Sequence, residues 1–258
     1  QLRTDISWRD DRAGKYRGDL HVHSDFSRFA GEDREIDIHL LPSHVFINDS
    51  LWNVDRSRLN WSSRSLSIEN FRLSHRDQSL ALNGLLQPGT QDSLVADLNR
   101  VDIAYIMGLI NFHAVEFAGE ATGRVSLSNS LSDPHVGAEL RIDNFLFNEA
   151  EMGGLYVQGL WNNEEKQVEL NATMTESPRN LTYINGFISI ARKGLDLRFR
   201  TVDTNLGFIN RYVSGIFDDL RGRASGHLRL YGPFKELDLE GQQAVRMTCR
   251  VEPTNVDY

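Results

Sequence analysis

Ala138-Glu139-Leu140-Arg141-Ile142-Asp143 alternates an apolar residue with a charged one, and that period of two decides the fold. In a β-strand successive side chains point to opposite faces, so Leu140 and Ile142 share one face while Glu139, Arg141 and Asp143 share the other. The same alternation recurs upstream at Leu66 and Ile68, Leu80 and Leu82, and Val125 and Leu127. Downstream it runs through Leu155 and Val157, Val168 and Leu170, the triplet Leu195, Leu197 and Phe199, Leu228 and Leu230, then Leu237 and Leu239. Each run gives a strand with one dry face and one wet face. Between the runs stand short groups of turn residues, Gln87-Pro88-Gly89, Asn162-Asn163, Ser177-Pro178 and Gly232-Pro233, which predict an antiparallel meander. At roughly 5 to 6 residues per strand plus a turn, the chain has room for on the order of 20 strands.

Two segments break the period. Val101 to Phe112 and Asn205 to Phe217 place apolar residues at helical spacing, with Asp102 and Thr204 or Asn205 positioned to cap their starts. Two short helices cannot cover so many strands, so the dry face must meet another sheet, curl onto itself or accept a guest.

The helical segments expose a repeat. Gly119-Glu120-Ala121-Thr122-Gly123 follows the first and Gly222-Arg223-Ala224-Ser225-Gly226 follows the second, 103 residues on. Leu82-Asn83-Gly84 and Ile184-Asn185-Gly186 precede them at an offset of 102. The Gly-x-Ala-[Ser/Thr]-Gly pivot has no Lys and lies between a helix and an amphipathic strand, which suits a tight backbone crossing better than a phosphate loop. The expected organisation is an N-terminal part of a preceding repeat over 1–50, one unit over 51–150 and a second over 151–258, forming one continuous β structure. The chain starts without Met and its last residues still read as strand, so it is expected to be a piece of a longer protein.

Composition narrows the function. The 258 residues are 40% hydrophobic and 25% charged, as in a folded protein, and the net charge of -8 without a dense basic cluster argues against nucleic acid. The single cysteine, Cys249, excludes an internal disulfide framework and a Cys-rich zinc site. Four Asn-x-Ser/Thr triplets, from Asn48, Asn60, Asn171 and Asn180, occur in a chain rich in both residue types and carry little weight.

The stretch Ile47 to Gly84 contains Trp52-Asn53, Ile68-Glu69-Asn70-Phe71-Arg72, Asp77-Gln78 and Leu82-Asn83-Gly84. Together with Asp143-Asn144-Phe145, the two pivots and the run from Gly232-Pro233 to Leu239-Glu240-Gly241, it resembles TamB-type proteins (translocation and assembly module) of the Bacteroides kind, within the AsmA-like superfamily. The likeness is spread over nearly the whole chain and departs most after Gly241. It implies an all-β, elongated and curled antiparallel sheet, a β-taco-like groove of ~100-residue repeats. It further implies a periplasmic segment of a protein anchored in the inner membrane of a Gram-negative bacterium by a part absent here. The implied partners are phospholipid or nascent outer-membrane protein and a barrel of the TamA/BamA type. No catalytic residue and no cofactor is expected. The groove lining is expected at Leu66, Ile68, Leu80, Leu82, Val125, Leu127, Leu140, Ile142, Leu155, Val157, Val168, Leu170, Leu195, Leu197, Phe199, Leu228 and Leu230, with Arg141 and Arg198 outward.

One motif points elsewhere. Arg17-Gly18-Asp19-Leu20-His21-Val22-His23-Ser24 resembles the opening of PHP-type metal-dependent phosphoesterases, in which a His-x-His pair binds a catalytic metal. The PHP barrel needs further ligands from several strand ends and alternates strands with helices; the first Asp-x-His after the motif, Asp37-Ile38-His39, is one hairpin away. The alternative reading is an ordinary amphipathic strand, with Leu20 and Val22 inward and Asp19, His21 and His23 on a solvated face. His44, His75, His113, His135 and His227 lack ligand spacing. Trp52, Trp61 and Trp161 lie near turns, where rim packing competes with a sugar-stacking role. A closed β-sandwich interaction or adhesion module is the other architecture compatible with the pattern.

Overall fold

The computed structural model describes residues 2–9, 16–28, 34–47, 50–90, 92–105, 116–129, 134–147, 149–177, 179–189, 191–205, 218–234 and 238–250. These residues are almost entirely β and join one antiparallel sheet of seventeen strands. The first nine are β1 (Leu2–Arg9), β2 (Tyr16–Arg28), β3 (Arg34–Leu40), β4 (Ser43–Ile47), β5 (Ser50–Val54), β6 (Ser57–Trp61), β7 (Leu66–His75), β8 (Gln78–Leu86) and β9 (Ser93–Asp102). Then come β10 (Phe117–Asn129), β11 (Pro134–Phe147), β12 (Ala150–Asn162), β13 (Gln167–Ser177), β14 (Asn180–Ser189), β15 (Gly194–Asn205), β16 (Asp218–Pro233) and β17 (Asp238–Arg250). The count falls below the expected twenty because the later strands run to as many as 16 residues, long past the average strand.

The chain divides into two compact units, 1–105 with 121–140, and 106–120 with 141–258. In the first, β2 pairs with β1 on one side and with both β3 and β4 on the other. β3 and β4 are one strand line broken at Leu41-Pro42, where proline cannot donate to the ladder. The break is stitched by Leu41 N–H donating to the His21 carbonyl (2.9 Å) and by the Ser43 hydroxyl, which accepts from His21 N–H (3.0 Å). β5 and β6 form the next line, broken at Asp55-Arg56 and stitched by Asp55 N–H to the Arg72 carbonyl. β7, β8 and β9 complete a meander.

In the second unit β12 to β17 follow one another as antiparallel neighbours. The Asn162-Asn163 turn is made as expected, the Asn162 side chain accepting from the N–H groups of Glu164 and Glu165.

The two helical expectations are tested only at their starts. Val101 and Asp102 are the end of β9, and a helical turn starts only at Ile103, running through Tyr105. Asp102 does cap it, accepting from Ala104 N–H at 2.9 Å. Thr204 and Asn205 end β15; the rest of the second segment, 206–217, lies outside the described residues, as do 106–115 and His113.

The repeat is visible as local geometry. Arg100 in β9 and Asp203 in β15, 103 apart, both adopt a left-handed φ (52° and 51°), and at Asp203 the ladder shifts register in a bulge. The N–H of Arg100 donates to the Thr122 hydroxyl (3.0 Å), and that of Asp203 to the Ser225 hydroxyl (2.9 Å). The Ser/Thr of each pivot therefore satisfies the N–H of the left-handed residue. The preceding Ala121 and Ala224 are fully buried. Gly123 and Gly226 adopt φ 148° and 155°, and a methyl on Gly123 would strike the Glu139 carbonyl and the Leu140 Cα. The pivot is a close backbone crossing.

Candidate functional site

Register assigns the faces. In the second unit Leu155 and Val157 stand opposite Met174 and Ala172, and Gly159 and Trp161 opposite Leu170 and Val168. Those positions face Thr182, Ile184, Gly186 and Ile188 in β14, which face Thr201, Phe199, Leu197 and Leu195 in β15. Phe199 and Leu197 in turn face Leu228 and Leu230 in β16. Nine of the expected lining residues, Leu155, Val157, Val168, Leu170, Leu195, Leu197, Phe199, Leu228 and Leu230, thus share one face across five strands. Leu155 and Leu195 are buried and the other seven half-buried.

Within this unit the sheet bends onto that face. β12 and β15 approach within 8 Å between Cα atoms although two strands separate them, where a flat sheet would set them roughly 14 Å apart. Polar ties span the bend at both ends. At one, Arg223 on β16 donates to Glu176 on β13 (2.6 and 3.2 Å) and to the Asp203 carbonyl through Nε (2.8 Å). At the other, Arg192 donates to the buried Gln167 (2.5 Å). The outer face carries Tyr156, Gln158 and Leu160 on β12 and, across β15, β16 and β17, the ladder Asp196–Arg229–Glu240. Two hydrogen bonds from Arg229 hold the Asp196 carboxyl below its ordinary range, and the two carboxylates raise Arg229.

In the first unit Leu66, Ile68, Leu80 and Leu82 share a face with Phe71, Leu73, Leu94 and Leu98. Its centre is Val45, Trp52 and Val54, ringed by Leu20, Leu40, Ile47, Phe71, Leu73 and Tyr105. Trp52, only 2% exposed, is a core residue and not rim packing as the turn positions suggested. Tyr105 covers it: its ring meets the indole edge-on at 5.6 Å and its hydroxyl lies 3.2 Å from the Ser50 hydroxyl, while Ile103, two residues earlier, is itself buried. Among the remaining lining residues Val125, Leu127 and Leu140 are half-buried and Ile142 is buried. Arg141 and Arg198 are exposed, as expected of outward positions.

The His-x-His strand follows its amphipathic reading. Val22 is buried, Leu20 joins the core, and His21 and His23 are exposed on the wet face. His21 Nδ1 donates to Asp5 (2.7 Å), which lowers the Asp5 carboxyl. His23 stands opposite His39 and Asp25 opposite Asp37, yet Asp37 is engaged by both Nε and Nη2 of Arg58 (2.9 and 2.7 Å), which lowers its pKa. Among the described residues no group of three or more His, Cys, Asp or Glu is arranged to hold a metal ion. His44 bonds to Asn53, and His75 packs against Trp52. No described helix is long and apolar enough to cross a membrane.

The chain matches no family model, no curated protein and no solved structure.

Several dry-face residues escaped a search for apolar pairs. Thr182, Thr201 and Thr204 are buried there, the hydroxyls of Thr182 and Thr204 bonded at 2.5 Å. Their signal was position: Thr201 continues the series Leu195, Leu197, Phe199, and Met174 continues Val168, Leu170, Ala172.

Proposed function

We propose that this chain is a non-catalytic, groove-forming segment of a TamB-like envelope-biogenesis protein, offering an apolar β face to phospholipid acyl chains or to nascent outer-membrane protein in the periplasm. The observation that carries the reading is the register of β12 to β16, which gathers nine alternating apolar residues on the inside of a bend and leaves seven of them only half-buried. A face meant only as core would be expected to close further on itself. Enclosing ~14 methylenes on such a face yields roughly 11 kcal/mol at about 0.8 kcal/mol each, before ordering costs, enough for micromolar holding. Repeated Leu, Val and Ile also give successive sites of similar affinity, as passage requires. The full-length protein would be anchored in the inner membrane and would meet a TamA/BamA-type barrel through parts outside this chain.

The test is photocrosslinking in cells from positions 197 and 140, with 198 and 141 as outward controls, followed by mass spectrometry of the adducts. Capture of phospholipid or outer-membrane polypeptide from 197 and 140 alone supports the reading. Capture from the outward positions alone, or none at all, overturns it.

A further inference from the structure

The wet face of the second unit carries an order of its own. One row crosses β12 to β16 in register as Tyr156, Thr173, Tyr183, Arg200 and His227. The neighbouring row crosses the same strands as Gln158, Asn171, Asn185, Arg198 and Arg229. In a chain of net charge -8, neither row contains a carboxylate. Tyr156 and Tyr183 are 40% and 39% exposed, and the side chains of Asn171, Asn185, Arg198 and Arg200 are exposed beside them. The two tyrosines stand two strand spacings apart, roughly 10 Å.

These side chains select a sugar chain. A tyrosine offers a flat apolar face to the C–H face of a pyranose ring and a hydroxyl at its tip. An amide presents a donor and an acceptor side by side, which matches neighbouring sugar hydroxyls. Among the described residues, the side-chain amides of Asn171 and Asn185 and the guanidinium of Arg198 have no hydrogen-bond partner. Arg200 stands 6.0 Å from the centre of the Tyr183 ring, at the outer limit of a cation–π contact. The nearest carboxylates lie one row on, where Asp196 is held by Arg229 and Glu169 accepts from Asn162. Arg198 and Arg200 therefore keep their charge for a guest, and a guanidinium takes a carboxylate through two parallel hydrogen bonds. Two such groups are too few for a grip on nucleic-acid phosphates, which needs many. The two rows also hold no aliphatic side chain that would suit an acyl chain.

From this juxtaposition we infer that the wet face of β12 to β15 binds an extended anionic polysaccharide, a chain of uronate-type sugars. Tyr156 and Tyr183 stack alternate rings, Asn171 and Asn185 bond their hydroxyls, and Arg198 and Arg200 meet their carboxylates. The inference goes beyond the groove reading and does not depend on it. The two faces are opposite sides of the same strands, so a guest on one leaves the other open.

The experiment titrates the full chain by isothermal calorimetry with a β-linked mannuronate hexamer, a β-linked glucose hexamer and a uridylate hexamer. The mannuronate hexamer should bind about tenfold more tightly than either of the others. Tyr183→Ala and Arg198→Gln should each weaken that binding about tenfold. Arg64→Gln, which removes an exposed arginine from the other unit, should leave it unchanged. All three positions are exposed, so the variants should fold, as circular dichroism would show. Absence of mannuronate binding overturns the inference. So does glucose or uridylate binding of equal strength, or a loss in Arg64→Gln as large as in Arg198→Gln. None of these outcomes alters what photocrosslinking from position 197 reports about the dry face.

Discussion

The Arg223 guanidinium on β16 holds the Glu176 carboxylate on β13 at 2.6 Å, with β14 and β15 lying between the two strands. Two side chains that meet over that span tie together strands that are not ladder neighbours. Both are partly solvent-exposed, so screening limits the gain to about 1 kcal/mol. In urea unfolding, a cycle of Arg223→Ala, Glu176→Ala and the double variant should show a coupling of at least ~0.5 kcal/mol. No coupling would mean that the bend is held by its apolar lining alone.

The assignment of faces predicts opposite outcomes for neighbouring leucines. Leu155→Asp places a charge on the buried face and should cost about 3–5 kcal/mol. Leu160→Asp, on the outer face at 67% exposure, should stay within about 0.5 kcal/mol. Chemical denaturation of the two variants checks the pair.

Gly186 has φ 150°, and a methyl there would meet the Asp196 carbonyl oxygen and Leu197 Cα. Gly186→Ala should destabilise by about 2–4 kcal/mol. Ser225→Ala, which removes only the acceptor for the Asp203 N–H, should cost about 1 kcal/mol. Thermal melts would separate the two.

Asp196 titrates below its ordinary value when folded because Arg229 donates to it twice. A depressed folded pKa contributes stability above the unfolded value and loses it as pH falls through the folded one. The stability difference between the native chain and Asp196→Asn should therefore be flat above pH ~5 and shrink below about 4. Urea midpoints from pH 3 to pH 7 would show it.

The Tyr105 turn should be separable from the sheet. Tyr105→Ala uncovers Trp52, so fluorescence should shift to the red, while Asp102→Ala, which removes the cap, should cost about 1 kcal/mol.

The strands were legible because each is wet on one side: Leu195, Leu197 and Phe199 alternate with Asp196, Arg198 and Arg200, and only one register hides the apolar set. The dry face was legible for the same reason. Arg100 and Asp203 were not, since a left-handed φ at Arg or Asp has no compositional mark, and only the pivot hydroxyls 22 residues later explain it. The bend was hidden too, because Arg223 and Glu176 lie 47 residues apart and neither stands out in sequence. Trp52 was misplaced because closeness to a turn says nothing about what folds over the turn, and Tyr105 does so from 53 residues away.

Thr122 and Ser225 perform the same task with the same hydroxyl, on left-handed residues spaced by the same 103 residues. A gene carrying the segment from Ala121 to Arg223 twice would present every left-handed residue with its proper acceptor and each close crossing with its glycine. Duplication or loss of one copy thus needs no new joint. A lineage under pressure to match a changing distance can lengthen or shorten such a protein by whole modules, leaving the interior chemistry untouched.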